Sequence, residues 1–254
     1  MTFLLRVLYV LSLSLAALPL RAEQVTVFAA ASLRDVLREV GAVWEVETGH
    51  SLRLSFAGSS ALARQVQAGA PADLIWLANR DWMSNLEAQG LLQNGTQVPL
   101  VGNHLVLIGP AEAPPLSLGP EVTARLAGER LAMALVEAVP AGIYGKAALE
   151  HFGLWQDLAP KVAQADNVRA ALALVALGEA PLGIVYASDA LADPRVRILA
   201  TFPPESHPAI TYPAAIVADS KATAASDLLT FLQSPIAKEV FLRHGFTDPP
   251  QESH

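Results

Sequence analysis

The chain has 254 residues, of which 52% are hydrophobic and 16% are charged, with a formal net charge of −7 and no cysteine. This composition is typical of a globular protein that buries one large core or two modest ones. The lack of cysteine excludes disulfides and thiolate metal sites, and the acidic balance argues against a nucleic-acid partner.

Residues 1–22 have the layout of a secretory signal peptide. Arg6 precedes an apolar run from Val7 to Leu18, and the segment closes on the small residue Ala22. Because the run is too short to span a membrane, we expect these residues to direct export and then be removed. Removal lowers Lys plus Arg from 17 to 15 against 24 acids, which makes the formal charge −9. An N-terminal anchor that is retained is the alternative.

Short apolar runs alternate with helical patterns through the rest of the chain. The predicted strands are residues 25–29, 52–56, 74–77, 105–108, 131–135, 183–186, 196–201 and 214–218. The clearest helical patterns run from Leu33 to Gly49, from Asn79 to Gly90 and from Ser234 to Gly245. This alternation predicts an α/β fold of mostly parallel sheets with helices on both faces.

Two proline-rich stretches, residues 99–120 and 202–208, divide the pattern into three blocks. We therefore expect two lobes, one formed by residues 23–102 plus 209–254 and the other by residues 103–208. Two crossing strands would join them as a hinge, with a ligand cleft between the lobes. A single doubly wound domain with a proline-rich excursion is the alternative.

Two strand-like segments near the start run directly into turns that contain serine. The turn FAAASL holds Ser32, the turn FAGSSA holds Ser59, and neither contains Lys or Arg. A helix N-terminus offers unpaired N–H groups and a partial positive charge, so a serine there can bind an anion without a cationic side chain. Plain helix capping is the alternative for each serine taken alone.

Three segments of the middle block have the same physical character. VPAGIYGK opens a helix in which the N–H of Ala141 can face a ligand, because Gly142 allows close approach. DNVRAALALV begins a helix capped by Asp166 and leaves the N–H of Val168 in the first turn. Tyr186 ends an apolar strand, where ligands bind in open α/β sheets. A turn, a cap and a core aromatic are the alternative interpretations of these segments.

Enzyme and metal motifs are poorly matched. GSSAL lacks the second glycine of a nucleophile elbow, and GIYGK is too short for a phosphate-binding P-loop. The six histidines show no metal-ligand spacing, so we predict no direct protein ligand to a metal. The chain is therefore predicted not to be an enzyme. A secreted serine hydrolase that uses Ser32 or Ser59 is a remote alternative.

An ordered set of segments spanning the mature chain resembles the periplasmic molybdate-binding proteins of ABC transporters, which are type II periplasmic solute-binding proteins. The segments are AAASL, FAGSSALARQVQAGAPADL, VGNHLVLI, VPAGIYGKAALE, NVRAALALV, GEAPLGIVYASDA, TFPPESH and FLRHGF. The resemblance implies a two-lobed, monomeric periplasmic receptor without a cofactor. Its ligand would be molybdate or tungstate, delivered to an inner-membrane ABC transporter permease.

The resemblance also implies five ligand-binding residues. The family's binding serines match Ser32 and Ser59, its backbone donors match Ala141 and Val168, and its tyrosine donor matches Tyr186.

The chain departs from the family pattern at two places. Gly58 stands where another small hydroxyl residue is common, and we expect it to make the turn more flexible. The segment MALVEAV stands where a Gly-Asp-Pro turn is expected before the third motif. The loop that leads to Ala141 therefore departs from the family pattern.

The five residues supply hydroxyl and N–H donors but no obligatory acceptor. Donors alone can surround a fully deprotonated tetrahedral dianion, whereas hydrogen phosphate would leave its own O–H without a partner, at about 1 to 3 kcal/mol. The site is therefore predicted to reject phosphate. Sulfate or thiosulfate in the same fold is the alternative, because only cavity size and donor spacing can exclude sulfate.

Overall fold

The computed structural model describes residues 22–250, so the predicted signal peptide lies outside the described residues except for Ala22. The strands are β1 Gln24–Ala30, β2 Ser51–Ala57, β3 Leu74–Trp76, β4 Val98–Gly102, β5 Leu105–Pro110, β6 Leu131–Ala134, β7 Val162–Ala165, β8 Leu182–Tyr186, β9 Val196–Thr201 and β10 Thr211–Ile216. The helices are α1 Arg34–Thr48, α2 Ser59–Gln67, α3 Arg80–Ala88, α4 Pro120–Leu126, α5 Pro140–His151, α6 Trp155–Leu158, α7 Val168–Ala176, α8 Ala187–Leu191, α9 Ala224–Phe231 and α10 Pro235–Arg243.

The strands form two five-stranded sheets, in the orders β2-β1-β3-β10-β4 and β7-β6-β8-β5-β9. The predicted α/β fold is confirmed, but the sheets are mixed rather than mostly parallel, since half of the pairings are antiparallel. One strand is reversed in each sheet, β10 in the first and β5 in the second. Each is the strand by which the chain enters that sheet from the other, so neither follows the crossover connection within one sheet that parallel neighbours require.

The chain passes between the sheets twice. Asn103 and His104 connect β4 to β5, and residues 202–210, which include a short 3₁₀ turn, connect β9 to β10. Both links are thus short connections flanked by strands. We call the part of the chain that carries the first sheet lobe I and the part that carries the second sheet lobe II. The predicted lobe boundaries at residues 102 and 208 stay a prediction.

The sequence patterns did not predict two edge strands, β4 and β7, for different reasons. β4 contains Pro99, and proline is tolerated in a sheet mainly at an edge. β7 is only half-buried and lacks an apolar run. Strand β10 begins at Thr211, three residues before the predicted start. The prediction excluded Pro213, which lies at an irregularity in the β10–β4 register. Proline inside a strand pattern argues against a central strand, and this irregularity is what accommodates it.

Helix α1 shows how the sequence positions the first half of the cleft. Val36, Leu37, Val40 and Trp44 are buried on one face, as their spacing predicts. The helix ends at Gly49, whose φ of 74° is the left-handed conformation that glycine adopts without strain. No helix within residues 22–250 is long and apolar enough to cross a membrane.

Candidate functional site

The five predicted site residues line one small cavity where the lobes meet. Ser32 and Ser59 reach it from lobe I, and Ala141, Val168 and Tyr186 reach it from lobe II. The cavity is small and is lined by residues of both lobes. It suits a compact ligand rather than an extended organic molecule.

Ser32 lies in a 3₁₀ turn, Ala31–Leu33, between β1 and α1. Its Oγ is 3.1 Å from the Tyr212 hydroxyl oxygen on β10. Asn103 Nδ2, on the connection between the lobes, donates to the same tyrosine oxygen at 3.3 Å. Ser32 is therefore held by buried polar side chains and does not cap α1.

Ser59 is the first residue of α2, and the extended residue before it, Gly58, occupies the N-cap position. The Ser59 Oγ accepts the backbone N–H of Ala78 at 3.0 Å, so its own proton remains available to a ligand. Plain capping is thus wrong for both Ser32 and Ser59. The Ser59 N–H also lacks an intrahelical partner, because it belongs to the first turn.

Gly58 is required by the close approach of the two lobes. A Cβ there would lie 2.6 Å from the Asp166 carbonyl oxygen and 3.2 Å from Val139 Cγ2, both in lobe II. The backbone of Gly58 has φ −63° and ψ 142°, which any residue adopts. Gly58 therefore has a steric role, because a larger residue would hold the lobes apart. The expected flexibility of the turn stays a prediction.

Ala141 lines the cavity from the first turn of helix α5. The first intrahelical bond runs from the Ile143 N–H to the Val139 carbonyl at 3.0 Å, so the Ala141 N–H lies before the hydrogen-bonded ladder. A Cβ on Gly142 would meet the Ala134 and Leu135 carbonyl oxygens at 2.4 Å. Gly142 therefore allows the helix start to approach the end of β6. The predicted close approach of this backbone to a ligand stays a prediction.

Helix α7 begins at Val168 with its N-terminus at the cavity. Its cap is Asn167, whose Oδ1 accepts the Ala170 N–H at 3.0 Å. The predicted cap Asp166 is wrong, because Asn167 has the extended backbone that turns into the helix. The Val168 N–H precedes the intrahelical ladder and can bind a ligand.

Tyr186 ends β8 with its side chain only 1% exposed. Among the residues that the structure describes, its hydroxyl has no hydrogen-bond partner. Burial raises the pKa of Tyr186 well above its usual value, and the nearby Tyr212 adds to the effect. The phenol therefore stays protonated, and its buried O–H can donate a hydrogen bond to a ligand in the cavity.

An ion-pair group outside the predicted set holds two of the lobe II donors. The buried Asp189 carboxylate accepts from Arg169 Nε at 2.5 Å and from the Tyr186 backbone N–H at 3.3 Å. Arg169 follows Val168 in α7 and also pairs with Asp35 of α1 in lobe I at 2.8 Å. Arg169 could have been found from the sequence, because a buried charge in an otherwise apolar helix such as α7 is normally paired.

Neutral contacts also join the lobes beside the cavity. Trp82 Nε1, on α3, donates to the Ala138 carbonyl at 2.9 Å. The Tyr144 hydroxyl, on α5, donates to the Ala78 carbonyl at 3.4 Å. The structure is therefore a closed arrangement in which lobe I and lobe II contact each other directly.

The cavity is lined by neutral groups. None of its lining residues carries a charged side chain. Within residues 22–250, no group of three His, Asp or Glu side chains could hold a metal ion. The hydroxyl partners of Ser32 and Ser59 are Tyr212 and Ala78 rather than a histidine, so the geometry offers no base for serine catalysis. The donor set is suited to holding a small anion.

Two α/β lobes that close on a donor-lined cavity define a solute-binding protein. The chain belongs to the bacterial extracellular solute-binding protein family, whose model matches residues 25–247. The prediction that the protein is not an enzyme is thereby confirmed, because this family consists of binding proteins.

Individual relatives narrow the comparison. The molybdate-binding protein ModA of Escherichia coli is 43% identical, over 88% of this chain and 89% of that protein. The molybdate-binding protein ModA of Haemophilus influenzae is 40% identical, over 88% of this chain and 90% of its own length. The solved structure of the periplasmic molybdate-binding protein of Azotobacter vinelandii has a TM-score of 0.80 at 23% identity, over 89% of this chain and all of that one, which shows the same fold.

Asp189 predicts a specific pH dependence of stability. Burial raises its pKa from 3.8 to about 6, although Arg169 acts in the opposite direction. The folded state therefore binds this proton more tightly than the unfolded state. As the pH falls from about 6 to about 4, the contribution of this group to the free energy of unfolding should therefore rise. Urea unfolding of the wild type and Asp189→Asn at several pH values checks this, and parallel pH curves would contradict it.

Trp82→Phe tests the contact between the lobes. The substitution keeps an aromatic ring and removes the indole N–H that bonds the Ala138 carbonyl. We expect the closed form to lose about 0.5 to 1.5 kcal/mol, which raises the dissociation rate of a bound anion several-fold. Stopped-flow displacement measures this rate. An unchanged rate together with a lower melting temperature of the ligand-free protein would show that Trp82 serves only lobe I.

Proposed function

We propose that this protein captures molybdate between its two lobes and delivers it to an ABC-type transporter. The observation that carries the proposal is the convergence of donors from both lobes on a cavity lined by no charged side chain. The E. coli and H. influenzae relatives, which are molybdate-binding proteins, support the same ligand.

The proposed donors are the hydroxyls of Ser32, Ser59 and Tyr186 and the first-turn N–H groups of Ala141 and Val168. A dianion with four unprotonated oxygens accepts from all of them without needing an acceptor in return. Three helix N-termini, those of α2, α5 and α7, add a partial positive potential at the same place. Charge compensation would thus come from dipoles and hydrogen bonds.

We propose a periplasmic location, with export directed by residues 1–22, and a monomeric receptor. The partner would be an inner-membrane permease that recognises the closed, loaded form. Tungstate, which is almost equal in size to molybdate, should bind in the same way. Sulfate has the same charge but is smaller, so weaker binding is expected where donors spaced for the larger ion cannot all reach it.

Calorimetric titration with molybdate, tungstate, sulfate and hydrogen phosphate tests the ligand. We expect tight binding of the first two, weaker binding of sulfate and no measurable binding of hydrogen phosphate near pH 8. The rejection of phosphate has a physical reason, because its O–H would have no acceptor in the site. Tight sulfate binding without a preference for molybdate would contradict the proposal and favour a sulfate receptor of the same fold.

Ser59→Ala tests the second serine turn. Removal of its hydroxyl should weaken molybdate binding by about 1 to 3 kcal/mol without unfolding lobe I. Ser60→Ala is the matched control, because Ser60 is equally buried in the same helix turn but its Oγ is 3.5 Å from Arg64 and does not line the cavity. Equal affinities for the two variants would remove Ser59 from the proposed site.

A further inference from the structure

We infer that Asn103 and Tyr212 form a hydrogen-bond relay that fixes the Ser32 hydroxyl as a donor, and that this relay helps the site to select fully deprotonated oxyanions. The inference rests on the proposed function and adds two specificity-determining residues to it. Neither residue lines the cavity. Both would act through Ser32, as positioning residues.

The relay starts at Asn103, on the short connection between the lobes. Its Oδ1 accepts the His104 backbone N–H at 2.9 Å, which fixes the orientation of the amide. The Nδ2 group therefore faces the other way, 2.8 Å from Ser188 Oγ and 3.3 Å from the Tyr212 hydroxyl oxygen. An amide NH₂ group can only donate, so the Tyr212 oxygen must accept.

The bond from Asn103 also fixes the direction of the hydrogen bond between Tyr212 and Ser32. The Tyr212 side chain is fully buried, and burial raises the pKa of Tyr212 well above its usual value, so the phenol keeps its proton. The Tyr212 oxygen has two hydrogen-bond partners, Asn103 Nδ2 and Ser32 Oγ. Since Nδ2 can only donate, the phenol proton goes to Ser32 Oγ, 3.1 Å away. Ser32 Oγ then accepts from Tyr212, and the serine proton is directed towards the cavity.

In both cavity serines the Oγ accepts a hydrogen bond, so the hydroxyl proton can face the cavity, but the donors differ. Ser59 Oγ accepts a backbone N–H, from Ala78, which no side-chain substitution removes. Ser32 depends on side chains, so its role can be changed. Without the relay, the Ser32 hydroxyl can rotate and present a lone pair to the cavity, which a protonated oxyanion such as hydrogen phosphate could use.

A double-mutant cycle tests the relay. The variants are Tyr212→Phe, Ser32→Ala and the double variant, each titrated with molybdate and with hydrogen phosphate. We expect Tyr212→Phe to weaken molybdate binding about fivefold or more and to make hydrogen phosphate binding detectable, where the wild type shows none. In the Ser32→Ala background it should have no further effect on either anion, since the relay acts only through Ser32.

Tyr144→Phe is the matched control. It removes another buried tyrosine hydroxyl near the cleft, but that hydroxyl donates to the Ala78 carbonyl and does not contact Ser32. Its effect should be the same with and without Ser32→Ala. If Tyr212→Phe fails to fold, Asn103→Ala, which removes the first donor and keeps the tyrosine, replaces it in the cycle.

The outcomes separate the relay from the proposed function. Equal losses from Tyr212→Phe in both backgrounds would overturn the relay and leave the molybdate receptor standing. A wild type that prefers sulfate would overturn the molybdate proposal, and the same cycle run with sulfate would then decide the relay. A wild type that binds none of the four oxyanions would overturn both.

Discussion

The close approach of two backbones across the cleft is the constraint on which the site depends. Gly58 in lobe I and Asp166 in lobe II come so near that a single methyl group at Gly58 would lie 2.6 Å from the Asp166 carbonyl oxygen. Only at this distance can donors from both lobes surround a ligand of a few atoms. The same closeness makes an unfilled cavity costly, because buried O–H and N–H groups without partners lose their bonds to water. A small anion supplies the missing acceptors, so it stabilises the closed form selectively.

Two kinds of contact join the lobes around the cavity. Trp82 bonds the Ala138 carbonyl without any charge, whereas Arg169 of lobe II reaches Asp35 of lobe I through an ion pair. Arg169 is itself held by Asp189, which also holds the backbone of Tyr186. The ion pair between the lobes is thus continuous with the support of the lobe II donors. Closing the lobes and organising that half of the site are therefore physically linked.

The family resemblance singled out the five cavity residues, which local sequence patterns place at strand ends and helix starts. Those patterns also predicted most of the strands. They could not predict the supports of those residues. Asn103 and Tyr212 are 109 positions apart in the chain, and Ser32 and Tyr212 are 180 apart, so no local spacing connects them. Local patterns could not predict strand direction either. Periodicity indicates that β5 and β10 are strands, but it carries no information on direction, and each runs against its neighbours.

The chemistry of the site explains why a protein of net negative charge can bind an anion selectively. Arg169 lies next to Val168 in the chain, but Asp35 and Asp189 both compensate its charge, so this group offers the ligand no free cation. An unpaired cation would attract sulfate, phosphate and molybdate alike, since Coulomb attraction depends on charge and distance alone. Oriented O–H and N–H donors distinguish among them, because an anion that carries a proton meets a donor where it needs an acceptor. Selection by protonation state therefore requires that the hydroxyl directions be fixed from behind, as they are by Ala78 for Ser59 and by Tyr212 for Ser32.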